Sequence, residues 1–336
     1  MSVRHRLSVV VPVYNSECVL PSLAERLDSV LPTLADRYEV ILVNDGSRDQ
    51  SWAVIQSLLI GYPWLRAINL MRNYGQHNAL LCGVRAAQYD VIVTIDDDLQ
   101  NPPEEIFVLL ARLDEGFDVV YGVPQRQQHG LLRDLASLIT KQAMQSAMGA
   151  ETARHVSAFR VFRTQVRQAF ATFQSPYVSL DVLLTWGTSR FGAVFVRHEP
   201  RKSGTSNYTF SKLIVHALNM MTGFSTVPLR LASLIGFGFT LFGIAILTYV
   251  LGVYLVRGTT APGFPFLASL ISIFSGAQMF ALGIIGEYLA RIHSRTMERP
   301  PYAVRDSFES AAHACMPPCA ADDAAHSLEN ELTSVG

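Results

Sequence analysis

Along the first two hundred residues, short runs of Val, Ile and Leu alternate with longer amphipathic stretches. The two periodicities predict strands and helices in turn. Residues 7–13, 39–43, 66–70 and 91–95 read as strands, and the five β-favouring residues of 91–95 read as a buried one. Between them, 19–34, 50–59, 78–88 and 103–115 repeat apolar positions at helical spacing. Such alternation predicts an α/β fold with a doubly wound, mostly parallel sheet and helices on both faces. Residues 118–121 read as a further strand and 131–148 as a rather apolar helix. Ligands of these sheets gather beyond the carboxyl ends of the strands. The polar punctuation falls there: Tyr14-Asn15, Asn44-Asp45-Gly46-Ser47, Arg72-Asn73-Tyr74-Gly75 and Asp96-Asp97-Asp98.

The second half of the chain has a different pattern. Residues 231–256 and 264–286 carry no charge, and at about 1.5 Å per residue each is long enough for a hydrocarbon core of roughly 30 Å. They predict two membrane-spanning helices, with an interfacial helix at 209–224 leading into them. The expected layout is a catalytic domain at 1–208, a juxtamembrane segment at 209–228, a membrane region at 229–290 and a tail at 291–336 whose distal part has no core-forming pattern. Arg201, Lys202, Lys212 and Arg230 precede the first span and Arg291, Arg295, Arg299 and Arg305 follow the second, while the short connection holds only Arg257. This asymmetry puts both termini on the cytoplasmic side. Arg4 and Arg6 stand before the apolar run at 7–13, which is too short for a secretory signal and continues as a first strand.

Composition adds two exclusions. A net charge of −1 over 336 residues gives no electrostatic reason to expect nucleic-acid binding. The four cysteines, Cys18, Cys82, Cys315 and Cys319, form no disulfide framework or paired metal-ligand spacing and suit a reducing compartment.

The candidate chemistry starts at the acidic triplet. Adjacent carboxylates repel unless water or a cation compensates them, and Mg²⁺ or Mn²⁺ prefers oxygen ligands together with substrate phosphates. Arg201 and Lys202 beside Gly204 suit a loop that grips phosphate, since Arg offers a bidentate fork. Arg126 and Arg133 are further candidates for an acceptor phosphate. Arg72 could hold a phosphate, and His77 either meets substrate or caps a helix. No Ser-His-Asp or Cys-His nucleophile arrangement is readable.

Pro12-Val13-Tyr14-Asn15, Asn44-Asp45-Gly46-Ser47, Asn73-Tyr74-Gly75-Gln76-His77, Asp96 to Glu104, the block His198-x₂-Arg201-x₂-Gly204-x-Ser206-x-Tyr208 and Gly283 to Ile292 together resemble the GT-A glycosyltransferases of family 2. More narrowly they resemble the membrane-anchored polyprenyl-phosphate glycosyltransferases, and Asn73 to His77 is similar to the aminoarabinose-type undecaprenyl-phosphate transferases. The resemblance implies a GT-A sheet and a metal and diphosphate centre at Asp96, Asp98 and Gln100. Asp98, Arg201, Arg126 and Arg133 are implied at the reacting groups. Pro12, Tyr14, Asn15, Asp45, Arg72, Gln76, Asp97, Lys202 and Ser206 are implied around the nucleotide sugar. It also implies transfer from a nucleotide-diphosphate sugar, a UDP-sugar above others, to undecaprenyl phosphate at the inner membrane of a bacterium, by an enzyme that forms oligomers such as tetramers.

Several positions depart from that pattern. Asp97 stands where relatives often carry Ala, Glu17 is one place later than their Glu, and Asn207 replaces a Lys. Ser157-Ala158-Phe159-Arg160 stands where several relatives have Gly-Asp-Phe-Arg, an Asp considered as a base. A base is dispensable if the acceptor is a phosphate monoester, whose second pKa of about 6 leaves it largely dianionic at neutral pH and able to attack directly, with inversion. Two other readings are a silent nucleotide-sugar-binding subunit and a processive polysaccharide synthase. The second is disfavoured by the absence of a Gln-x-x-Arg-Trp string.

Overall fold

The computed structural model describes residues 5–124, 155–175, 177–199, 227–257, 263–297 and 299–310. The helices predicted at 131–148 and 209–224 lie outside these residues. The elements in order are β1 (His5–Val13), α1 (Leu20–Leu34), β2 (Ala35–Asn44), α2 (Ser51–Gly61), β3 (Leu65–Leu70), α3 (Gln76–Ala86), β4 (Val91–Thr94), α4 (Ile106–Asp114) and β5 (Val119–Pro124). They are followed by β6 (Arg160–Arg163), α5 (Leu180–Gly187), β7 (Phe191–Val196), α6 (Val227–Arg257), α7 (Phe264–Thr296) and β8 (Val304–Glu309).

The eight strands form one sheet in the order β7-β5-β6-β4-β1-β2-β3-β8. β1 pairs in parallel with β2 and β4, β2 with β3, and β5 with β7. β6 runs antiparallel to β4 and β5, and β8 antiparallel to β3, so the sheet is mixed. Strand alternation divides its side chains between two cores. Leu7, Val9, Val11, Val40, Leu42, Val91 and Val93 face one core with Leu23 and Leu27 of α1 and Leu109 of α4. Val10, Ile41, Val43 and Ile92 face the other with Leu80 and Val84 of α3 and Leu183 of α5. Burial on both faces explains the apolar runs at 9–13, 40–43 and 91–93.

One buried charge in this sheet is strongly compensated. Glu39 of β2 is fully buried. It accepts hydrogen bonds from Ser8 Oγ at 2.6 Å, the Gln88 amide at 2.7 Å and Arg66 Nη1 at 2.6 Å. Arg66 also donates to the Ala86 carbonyl at 2.8 Å and pairs with Glu309 of β8 at 2.9 Å.

β8 was not foreseen in the sequence. It lies beyond the long helices yet completes the sheet along β3, with Phe308 against Trp52 at 6.0 Å between ring centroids. The two long helices meet through Phe239 and Phe274 and expose Leu234, Phe237, Phe242, Leu267, Met279, Phe280 and Leu289. Among the described residues, Ile273–Ala290 of α7 is the stretch long and apolar enough to cross a membrane, and the apolar stretch Ala232–Ile246 of α6 is shorter.

Glu39→Ala should lower the unfolding free energy by about 3–5 kcal/mol, because Arg66 keeps a charge inside the sheet without its principal partner. Denaturant unfolding of the purified protein measures this, and an unchanged midpoint would mean that Glu309 alone compensates Arg66.

Candidate active site

The loops following β1, β2, β3 and β4 converge at one end of the sheet around a cavity of about 210 Å³. Pro12, Val13, Tyr14, Asp45, Asn73, Gly75, Gln76, Asp96, Asp97 and Asp98 line it. The three carboxylates after β4 are held by different parts of the chain. Asp96 accepts a hydrogen bond from Gln76 Nε2 at 2.7 Å. Asp97 accepts from Ser16 Oγ at 2.5 Å and from the Tyr14 amide at 3.3 Å. Asp98 accepts from the Gln100 amide at 3.1 Å. Between Asp98 and Gln100, Leu99 points into the core with φ of 59°, a left-handed backbone that a branched apolar residue rarely adopts.

The neighbouring loops are laced to each other. Asp45, buried at the end of β2, accepts from the amides of Tyr74 at 2.7 Å and Gly75 at 2.8 Å. Its burial pushes the carboxyl up, against the pull of those two amides. Gly46 has φ of 64°, and a Cβ there would stand 2.5 Å from the Arg72 carbonyl carbon, so the β2 and β3 loops touch backbone to backbone. Asn15, also left-handed at φ of 55°, accepts from the Arg48 amide at 2.8 Å.

Of the residues predicted here, Pro12, Tyr14, Asp45, Gln76, Asp96, Asp97 and Asp98 are brought together on the cavity. Three others take different places. Asn15 is turned to the β2 loop, Arg72 is exposed and stacks on Tyr74 at 4.8 Å, and Gln100 engages the triplet through its backbone rather than from the cavity wall. His77 accepts the Leu180 amide through Nδ1 at 3.3 Å, joining α3 to α5. Arg126, Arg133, Arg201, Lys202 and Ser206 lie outside the described residues. The chain before Arg201 is anchored beside the triplet: the Glu199 amide donates to the Gln100 carbonyl at 2.8 Å, and Arg26 pairs with both Glu104 and Glu199.

A buried group that the sequence reading did not select lies nearby. Arg160 is almost fully buried, ion-paired with Asp181, and donates through Nε to Thr94 Oγ1 at 3.0 Å. Tyr121 also donates to Asp181, at 3.2 Å. The available signal was an Arg inside the apolar run Phe159 to Phe162. Burial first, then the charges of Asp98 and Asp97, push the Asp96 carboxyl up to about 7, while Arg160 and Gln76 pull it down. A larger hollow of about 450 Å³ beside β5 and β7 is lined by Arg112, Phe117, Tyr121, His155 and Phe195 among others; among the described residues no carboxylate lines it.

The family model described as glycosyl transferase family 2 matches residues 8–170. An undecaprenyl-phosphate 4-deoxy-4-formamido-L-arabinose transferase of Shewanella sediminis (strain HAW-EB3) is 34% identical over 304 residues, covering 89% of this chain and 92% of its own. The protein of that name from Enterobacter sp. (strain 638) is 35% identical over 307 residues, covering 90% and 93%. Among solved structures, one described as the crystal structure of a mycobacterial protein superposes with a TM-score of 0.50 at 18% identity, over 66% of this chain and 74% of that one. This last likeness concerns the fold alone.

The raised Asp96 value has a definite sign. Its folded-state pKa of about 7 lies above the unfolded carboxylate value of about 4, so its contribution to stability is complete below about pH 4 and is lost as pH rises through 7. Without a divalent ion the protein should therefore melt at falling temperature across this window. If Asp96 holds a divalent ion, Mn²⁺ should restore stability increasingly as the carboxyl ionises. Thermal melts with and without Mn²⁺ from pH 5 to about 8 measure both trends, and a Mn²⁺ effect independent of pH would contradict them.

Proposed function

This chain belongs to glycosyl transferase family 2, and on that premise we propose that it transfers a sugar from a UDP-sugar to undecaprenyl phosphate. The observation that carries this reading is the placement of Asp96 and Asp98 on the same cavity as Tyr14 and Asp45. A donor with its diphosphate at the triplet and its nucleoside between the β1 and β2 loops would fill that space. Pro12, Tyr14 and Asp45 are the proposed nucleotide contacts, with Arg72 and Asn15 at the rim. Acceptor identity follows the relatives' names, and their 4-deoxy-4-formamido-L-arabinose is the first sugar to test.

The residues present fit a Mg²⁺ or Mn²⁺ ion. Among the described residues no three His, Cys, Asp or Glu side chains form a closed metal cage. Two carboxylates on an open cavity suit a hard cation whose coordination is completed by water and substrate phosphate. Asp96 and Asp98 would hold it, and when bound it offsets charge on the departing diphosphate. Gln76 keeps Asp96 turned to the cavity, and Gln100 orders Asp98. Asp97, engaged by Tyr14 and Ser16, positions the β1 loop.

The acceptor phosphate is its own nucleophile. As a dianion it attacks the anomeric carbon while the bond to the diphosphate breaks on the opposite face, inverting the configuration and requiring no general base. This makes the Ser157-Ala158 departure compatible with activity. Arg201, Lys202, Ser206, Arg126 and Arg133 are proposed to hold the two anions, with Arg201 two positions after the anchored Glu199. The exposed apolar surfaces of α6 and α7 support a two-helix anchor. It would keep the 1–208 domain and both termini at the cytoplasmic face, beside the phosphate of a lipid that stays at the interface. The lipid-linked sugar would then serve envelope glycan or lipopolysaccharide modification.

Purified protein with undecaprenyl phosphate, Mg²⁺ or Mn²⁺ and a panel of radiolabelled UDP-sugars should move label into the lipid phase. Asp98→Ala should reduce transfer by about a hundredfold or more and abolish the Mn²⁺-dependent thermal shift. Undiminished turnover would remove the metal assignment. UDP binding with no transfer from any donor would instead point to a silent binding subunit. Arg201→Ala should depress kcat/KM for the lipid while leaving UDP affinity unchanged, and equal lipid kinetics would end its phosphate role.

A further inference from the structure

β8 begins at Val304, shortly after α7 ends at Thr296, and hydrogen bonds along β3 of the sheet that carries the cavity. A line of polar groups crosses the carboxyl ends of the strands from this late segment. Asp306 Oδ2 accepts from Asn69 Nδ2 at 3.2 Å, and Asn69 Oδ1 accepts from Asn44 Nδ2 at 2.8 Å. Asn44 Oδ1 accepts from the Ser47 amide at 3.4 Å, and Ser47 Oγ accepts from the Asn15 amide at 3.1 Å. The line therefore starts on β8 and ends in the β1 and β2 loops that flank Tyr14 and Asp45.

Its direction is fixed at both ends, by the Asp306 carboxylate at one and by the Ser47 amide, which only donates, at the other. A side-chain amide has a donor and an acceptor side and can be turned over, whereas an ionised carboxylate only accepts. Asp306 thus obliges Asn69 to present its nitrogen outward and its oxygen to Asn44, which in turn presents its oxygen to the Ser47 amide. Asn44 is 3% exposed and Asn69 6%, so neither has water to replace a lost partner.

We infer that Asp306 is a positioning residue for the donor pocket: it fixes both buried amides and, through them, the Asn44-to-Ser47 loop. The strand beyond the membrane helices is then a working part of nucleotide binding. This rests on the reading of the cavity as the UDP site. β8 has other attachments, including its ladder to β3, the Arg66–Glu309 pair and the Phe308–Trp52 contact. Loss of Asp306 can therefore be separated from loss of the strand.

The test uses the full chain in lipid nanodiscs, with UDP and Mn²⁺ as the calorimetric probe and thermal melts alongside. Asp306→Ala should weaken UDP binding about tenfold, as expected for losing a charge-assisted bond that orders a buried network. Asp306→Asn, whose carbonyl can still accept from Asn69, should recover most of that affinity. Phe308→Ala should lower the melting temperature while changing UDP affinity by no more than about twofold. UDP binding to Asp306→Ala with parental affinity would overturn the inference. So would an equal loss of affinity in Phe308→Ala, because adhesion of the strand would then be the whole effect. If the parent protein fails to bind UDP, the donor-site reading fails first and takes the inference with it.

Discussion

Three carboxyl groups stand in consecutive positions, and the loops around the cavity are arranged so that each has a different neighbour. Gln76 from the α3 start engages Asp96, Ser16 and Tyr14 from the β1 loop engage Asp97, and the turn at Gln100 engages Asp98. A single triplet therefore brings loops separated by many residues to one point. Burial opposes ionisation there, which is why Asp96 is pushed up to about 7 even with the Arg160 guanidinium nearby. The triplet is both the organiser of the cavity and its least electrostatically settled part.

Behind this arrangement lie two buried ion pairs with different surroundings. Glu39 and Arg66 are bonded to Ser8, Gln88, Ala86 and Glu309, joining β1, β2, β3 and β8. Arg160 and Asp181 join β6 and α5 to Thr94, two residues before the triplet begins. The first secures the sheet, while the second supports the end of β4. Buried charges add little net stability in themselves, but each becomes costly to disrupt once its partners are fixed.

The central strands were legible because β1, β2 and β4 are buried on both faces and carry apolar runs at 9–13, 40–43 and 91–93. β6 and β8 were not: Arg160-Val161-Phe162-Arg163 has charge at both ends, and Val304 to Glu309 is a charged edge strand whose identity depends on a distant partner. The same division holds at the cavity. Tyr14, Asp45, Gln76 and the triplet stand at strand ends that the pattern marks, so their convergence follows from topology. Ser16 and Asp181 gain their places only from tertiary contacts, and Asn15 turns away because the Arg48 amide claims its side chain. Local periodicity carries no trace of such pairings.

Closure of the β3 edge by β8 imposes an order on biogenesis. Asn69 and Asp306 are 237 positions apart, and both long apolar helices are synthesised between them. Until the last strand leaves the ribosome, β3 presents an open row of backbone donors and acceptors of the kind through which chains aggregate. The sheet is therefore finished only after the helices that follow its first seven strands have been made. In this chain the edge is sealed last, and the maturation of the catalytic sheet is tied to the synthesis of its two long apolar helices.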